Sequence, residues 1–258
     1  MAIHPTALVD PGAELGEGVE VGPFSIIESG VTIGPDCTIG PNCVIRSGVT
    51  MGSGNRLDVG VVLGSLPQDA KFKGEPSFVR IGNNNLIREY VTVHRATGEG
   101  EATTVGDENF LMAYTHLGHN VEVGSKCSLA SYAGLSGHCI VHDRAIIGGL
   151  SGLHQYVTIG RMCMIGGHSR VTRDIPPFTT AQDNEIHGIN VIGLQRNGVS
   201  REDQAAVREA FRMIYRSDLN TSDAIAELRA RGPMPEVVRE FVEFIEQVNA
   251  GGRGRQQA

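Results

Sequence analysis

The sequence predicts a mainly β fold, a parallel β-helix followed by a small α-helical domain, on three observations. An aliphatic residue recurs at every sixth position: counting 3, 9, 15 … 171 gives 29 slots, and all but Asp69, Glu75 and Glu99 hold Ile, Val, Leu or Met. Neither the 3.6-residue period of a helix nor the two-residue period of a strand produces this spacing, whereas a fixed short repeat marks a solenoid. Thirty-four glycines and no tryptophan suit a chain of tight corners and small side chains. The beat then stops at Ile175-Pro176-Pro177, and a helical periodicity takes over beyond residue 200.

Taken in order, each six-residue repeat supplies one short strand and one corner, and three repeats close a triangular coil. About nine coils are expected, stacked about 4.8 Å apart. Each inward aliphatic side chain contributes roughly 1.5–3 kcal/mol before backbone ordering cancels most of the sum. Glycine often follows the aliphatic residue, as at Gly16, Gly34 and Gly124, and this slot is expected to need positive φ. Two segments interrupt the beat: Ser65–Phe78 (SLPQDAKFKGEPSF) and Ala96–Ala102 (ATGEGEA). The beat resumes in phase after both, so they are expected to be loops extruded from an intact prism, the kind of segment that carries function in repeat proteins.

Phe178–Gly198 is expected to be a polar connector. Ser200 with Asp203 resembles a capping box, with Ala205, Val207, Ala210, Phe211, Ile214 and Tyr215 lining one face of a helix that ends near Ser217. Thr221–Ala230 forms a second helix. Pro235 opens a third, striped by Val238, Phe241, Val242, Ile245 and Val248, and the terminal GGRGRQQA is expected to fray. The domains are therefore residues 1–189, the β-helix with its extruded loop at about 65–78, and residues 190–258, the helical domain.

A net charge of −7 gives nucleic acid no general foothold. No stretch approaches the roughly 18 apolar residues of a membrane span, and the first ten residues lack a signal-peptide core, so a cytoplasmic protein is expected. Cys37, Cys43, Cys127, Cys139 and Cys163 each fall four places after an aliphatic slot, where other repeats place Ala, Ser or Val. That is the second inward position, and the cysteines are expected to be small buried hydrophobes.

The histidines separate by slot. His4, His94, His142 and His154 follow an aliphatic residue, and His4 and His142 are expected to be corner residues that tolerate left-handed backbone. His116, His119 and His138 fall at outward slots, in LMAYTHLGHNVEVG and LSGHCIV, with Asn120 and His138 eighteen residues apart and so on adjacent coils. Three imidazoles on one outer wall suit general-base chemistry near neutral pH. Three imidazole nitrogens also suit zinc, so a zinc-dependent hydratase of the γ-carbonic-anhydrase kind is the rival from another class, and a non-catalytic scaffold is a third reading.

The runs QDAKFKGEPS, VTVHRAT, LMAYTHLGHN, AGLSGHC, HQYVTIG, DIPPFTTAQ and IYRS resemble the acyl-[acyl carrier protein]–UDP-N-acetylglucosamine O-acyltransferases, the hexapeptide-repeat acyltransferases that open lipid A biosynthesis. The resemblance covers nearly the whole chain. It implies a left-handed parallel β-helix, an exception to the usual right-handed crossover, assembled as a homotrimer with sites between neighbouring prisms. It further implies transfer of an (R)-3-hydroxyacyl group from acyl carrier protein to the 3-hydroxyl of UDP-GlcNAc, with no cofactor beyond the carrier's phosphopantetheine. Carried residue by residue, it makes His119 the general base, the Gly137 N–H an oxyanion donor, and Asn120 the neighbour that orients His119. Asp69 and Lys71 would hold the sugar. His116, His138, His154 and Gln155 would line the cleft, His94 would lie near the diphosphate, and Asn190 and Arg196 would reach the nucleotide, Arg196 by pairing with phosphate. Gly167 would leave the acyl groove open to a long chain.

Four positions depart from the family pattern. Asn120 stands for an aspartate, Phe72 for a tyrosine, Ile192 for an acidic residue and Asn197 for one of two arginines. An amide can orient an imidazole but cannot stabilise imidazolium, so restoring the carboxylate by Asn120→Asp is expected to raise the rate or broaden its pH profile. These departures keep open a related acyltransferase with a different acceptor, such as a 3-amino UDP-sugar.

Overall fold

The computed structural model describes residues 2–251. Residues 3–171 form a left-handed triangular prism of parallel strands, and the terminal residues 252–258, where fraying was expected, lie outside the described residues. Successive two-residue strands such as Ala2–Ile3, Leu8–Val9 and Glu14–Leu15 join three different sheets, called here walls 1, 2 and 3. Wall 2 has nine strands, one for each coil. The register is strict: Val21 pairs with Ile39, Ile39 with Leu57 and Leu57 with Ile87. A step of eighteen residues therefore stacks like on like, and it lengthens only where a loop is inserted.

The aliphatic beat is the core. From Val21 to Val171 every such residue is at most 4 % exposed, whereas Ile3 in the first coil is 41 % exposed because no coil covers it. All five cysteines are free and buried beside this column. Burial pushes the thiols of Cys127, Cys139 and Cys163 up to about 12, so they remain protonated and inert. Where the same inward slot holds asparagine it builds a polar ladder. Asn85 Nδ2 donates to Asn55 Oδ1 (2.9 Å), and the Asn109 N–H donates to Asn85 Oδ1 (2.8 Å).

The corner geometry corrects one expectation. Positive φ falls three places after the aliphatic residue, as at Asp36, Asn84, Asn120, His138 and Tyr156, and not at the glycine that follows it. Gly16, Gly34 and Gly82 are glycine for another reason: an added Cβ would come within 3.0 Å of the next coil's backbone. His4 and His142 accordingly sit in corners without left-handed backbone, and His138 is a histidine that has it.

After the prism, Thr179–Gln182 adds a strand to wall 1 and turns back antiparallel through Glu185–Ile189. Asn190 then caps α1 (Val191–Arg196). The expected polar connector is thus a hairpin and a short helix, hidden because its alternation is weak and brief. Three further helices follow: α2 (Arg201–Arg216), α3 (Thr221–Ala230) and α4 (Glu236–Asn249). Ser200 caps α2 by accepting the Asp203 N–H at 3.0 Å. Ala205 faces solvent, and Gln204 is buried in its place with its Nε2 donating to the Val199 carbonyl. The helices share a second core with Phe178 and Met162. Arg161 bolts the two parts together, pairing with Glu240 at 2.6 Å while lying over the Phe178 ring. Among the described residues no helix is long and apolar enough to cross a membrane.

Candidate active site

The edge between walls 2 and 3 collects nearly everything the sequence marked. Both extruded loops leave the prism here, between Val62–Ser65 and Phe78–Ile81 and between Thr92–His94 and Ala102–Val105. On the next three coils the same edge carries His119, then Gly137 and His138, then Gln155 and Tyr156. The phase-preserving insertions therefore sit directly beside the histidines because the register stacks their corners.

The loops are braced against each other and against the wall. His94 Nδ1 donates to the Leu66 carbonyl at 2.6 Å, and the Arg95 N–H donates to the Ser65 carbonyl at 2.9 Å. Glu75 Oε1 accepts the Gly98 N–H at 2.9 Å. The Arg95 guanidinium lies over Phe72 at 5.4 Å from the ring centroid, a cation–π contact between the two loops. Asp69 closes a turn by accepting the Lys71 N–H at 2.9 Å. That bond, with a smaller contribution from the nearby His119, holds its carboxyl below the ordinary value.

His119 is half-buried. Its Nδ1 meets Asn120 Oδ1 at 3.0 Å, and its Nε2 occupies the space where a side chain on Gly137 would stand, with a Cβ there only 2.3 Å away. Its ring meets His138 edge-on, with centroids 5.1 Å apart, and His138 stacks on Tyr156 at 4.7 Å. The Gly137 N–H makes no hydrogen bond among the described residues, although its carbonyl accepts from Tyr156. An imidazole and an uncommitted N–H thus belong to neighbouring residues on an open edge, an arrangement suited to proton removal beside a developing oxyanion.

His116 lies on wall 2, with Nδ1 2.8 Å from Thr92 Oγ1 and its ring edge-on to His94 at 5.2 Å. Burial, and secondarily the neighbouring His94, lowers its pKa, which favours the neutral ring. His154 is half-buried, with Nδ1 3.3 Å from the Gln155 carbonyl oxygen. Among the described residues no group of three or more His, Cys, Asp or Glu side chains could hold a metal ion.

Three candidates lie elsewhere. Asn190 is buried, with Oδ1 capping α1 through the Gly193 N–H and Nδ2 donating to the Met162 carbonyl. Its amide is committed to holding the start of the helix. Arg196 is exposed at the end of that helix, beside Ile192, which is 62 % exposed. Gly167 lies on the edge between walls 1 and 2, not on the histidine edge, and its Cβ position is 3.3 Å from the Gly149 carbonyl.

Gly134 and Gly152 escaped the sequence reading. They stand in register with His116 on the outer face of wall 2. Neither has positive φ, and an added Cβ would meet nothing within 4 Å, so neither backbone nor packing demands glycine. The signal was present: glycine twice in an outward slot, eighteen residues apart.

A prism of hexapeptide coils with histidines on a loop-bearing edge defines a hexapeptide-repeat transferase. Residues 30–65 match the family model described as bacterial transferase hexapeptide, and residues 174–255 match domain 2 of UDP N-acetylglucosamine O-acyltransferase. The chain is 47 % identical over 256 residues to the acyl-[acyl-carrier-protein]–UDP-N-acetylglucosamine O-acyltransferase of Paraburkholderia phymatum, covering 96 % of this chain and 98 % of that one. It superposes on the UDP-N-acetylglucosamine acyltransferase of Bacteroides fragilis with a TM-score of 0.93 at 39 % identity, covering 99 % of both chains. The Acinetobacter baumannii structure gives 0.89 at 33 % identity over the full length of both. The chain belongs to the acyl-[acyl-carrier-protein]–UDP-N-acetylglucosamine O-acyltransferase family.

Proposed function

We propose that this enzyme transfers an (R)-3-hydroxyacyl group from acyl carrier protein to the 3-hydroxyl of UDP-N-acetylglucosamine, in the cytoplasm, as a homotrimer and without a further cofactor. The observation that carries the chemistry is His119 Nε2 poised over Gly137. The sugar hydroxyl loses its proton to His119 as its oxygen attacks the thioester carbon. The Gly137 N–H stabilises the oxyanion, and collapse expels the carrier thiolate, which takes the proton back from imidazolium. A base in contact supplies roughly 10²–10⁴-fold, and an oxyanion donor roughly 10²–10³-fold.

Asp69 and Lys71 extend from the first loop toward the sugar. His94 lies near the diphosphate, and His116, His138, His154 and Gln155 line the cleft. Arg196 pairs with phosphate, and Asn190 supports it by fixing the start of α1. Wall 2 offers the acyl path: Gly134 and Gly152 leave a smooth strip between the His119 edge and the Gly167 edge. Because the prism interior is filled, that path is an outer surface, and a second copy laid along it would enclose the chain. This supports a site completed between protomers.

The test is a transfer assay pairing UDP-GlcNAc or its 3-amino analogue with hydroxyacyl carrier proteins of several lengths. Ester formation with UDP-GlcNAc and long chains is expected. Exclusive amide formation would assign the chain to the paralogous reading.

A further inference from the structure

The departure at position 120 comes with a compensating contact. Asn120 is buried, 8 % exposed, and three groups meet its side-chain amide. The Thr97 N–H donates to Oδ1 at 2.9 Å, Asn120 Nδ2 donates to the Thr97 carbonyl at 3.0 Å, and His119 Nδ1 lies 3.0 Å from Oδ1. Thr97 presents one donor and one acceptor, and a primary amide can satisfy both in only one orientation. The Thr103 hydroxyl accepts the Asn120 N–H at 2.9 Å and fixes the backbone beneath. The atom facing His119 is therefore a carbonyl oxygen, which has no proton to give.

We propose that the Thr97 backbone, in the second extruded loop, is a positioning group for catalysis: it clamps the Asn120 amide in one orientation and thereby holds neutral His119 as the Nδ1–H tautomer, with the basic lone pair on Nε2 over Gly137. This rests on the reading of His119 as the base, and it ties catalysis to a loop that touches neither reacting atom. It also reverses the expectation for Asn120→Asp. A carboxylate would set an acceptor oxygen against the Thr97 carbonyl where Nδ2 now donates, so one of the two loop hydrogen bonds is lost even as a charge is gained.

The groups facing His119 are Asp69 from the first loop and His138 from the next coil, and both are unchanged in the variants below. A carboxylate at position 120 favours imidazolium and raises the pKa of His119. The base form is the active one, so the acid limb of kcat/KM moves to higher pH. The plateau rate falls roughly tenfold from the lost buried hydrogen bond.

The experiment is 15N NMR of the imidazoles in the full-length protein, with no substrate bound, alongside pH profiles of transfer. In the native protein the neutral His119 ring is expected to carry its proton on Nδ1. Asn120→Ala should move the proton toward Nε2, and Asn120→Asp should keep the tautomer but shift the acid limb upward and lower the plateau. A native ring protonated on Nε2, a tautomer unchanged in Asn120→Ala, or a faster Asn120→Asp enzyme would each overturn the proposal. The tautomer is read without turnover, so absence of acyl transfer would sink the function and leave this result standing.

Discussion

Two edges of the prism use the same backbone slot in opposite ways. On the edge between walls 3 and 1, the residue two places after the aliphatic accepts the N–H of its counterpart one coil earlier. Asn83 Oδ1 accepts from Ser53, Asp107 Oδ1 from Asn83, Ser125 Oγ from Asp107, and Asp143 Oδ1 from Ser125. On the histidine edge this slot holds His119, Gly137 and Gln155, and the Gly137 N–H is left uncapped. The repeat creates at each corner an N–H that the ladder does not use, which is why Pro23, Pro35 and Pro41 fit the same slot. One edge consumes these donors in structure and the other leaves one beside the His119 imidazole. The proposed active edge is thus a structural edge with its caps removed.

The largest effect that sharpens this contrast is expected from His119→Ala, a loss of roughly 10²–10⁴-fold in kcat with an unchanged thermal melt. Gly137→Ala ranks next. Its Cβ would strike the His119 ring, and displacing the base should cost roughly 10²-fold in kcat with little change in KM, measured by steady-state kinetics. Asp107→Ala on the opposite edge should do the reverse. It removes the acceptor of Asn83 N and Nδ2, lowering stability by about 1–2 kcal/mol in denaturant unfolding while leaving kcat/KM intact. The smallest effect concerns His116. Its folded pKa lies below the ordinary 6.5, so the unfolded chain binds more protons and stability rises with pH in the window just beneath 6.5. His116→Gln should flatten that slope in unfolding measured from pH 5 to 7.

What the sequence disclosed follows from what each feature repeats. The beat, the cysteine register and the in-phase loops recur or interrupt a recurrence, so Ile33, Cys127 and the 65–78 segment could be placed by counting. Positive φ at His138 recurs as well, three places after the aliphatic residue, but glycine is commoner directly after the aliphatic and points to the wrong slot. The hairpin at Thr179–Ile189 rests on pairing with the last prism strand of wall 1, and the burial of Gln204 on one bond to the Val199 carbonyl, and neither belongs to a repeat. The cap that Asn190 places on α1 was invisible because a helix of six residues leaves almost no periodic trace. The Thr97–Asn120 clamp joins residues 23 apart, and only the register brings them together.

The central claim is tested most directly by incubating the native enzyme and His119→Ala with UDP-N-acetylglucosamine and a hydroxyacyl carrier protein, and identifying the product by mass spectrometry. The account predicts a 3-O-ester from the native enzyme and almost none from the folded variant. A variant that forms the ester at the native rate would contradict it.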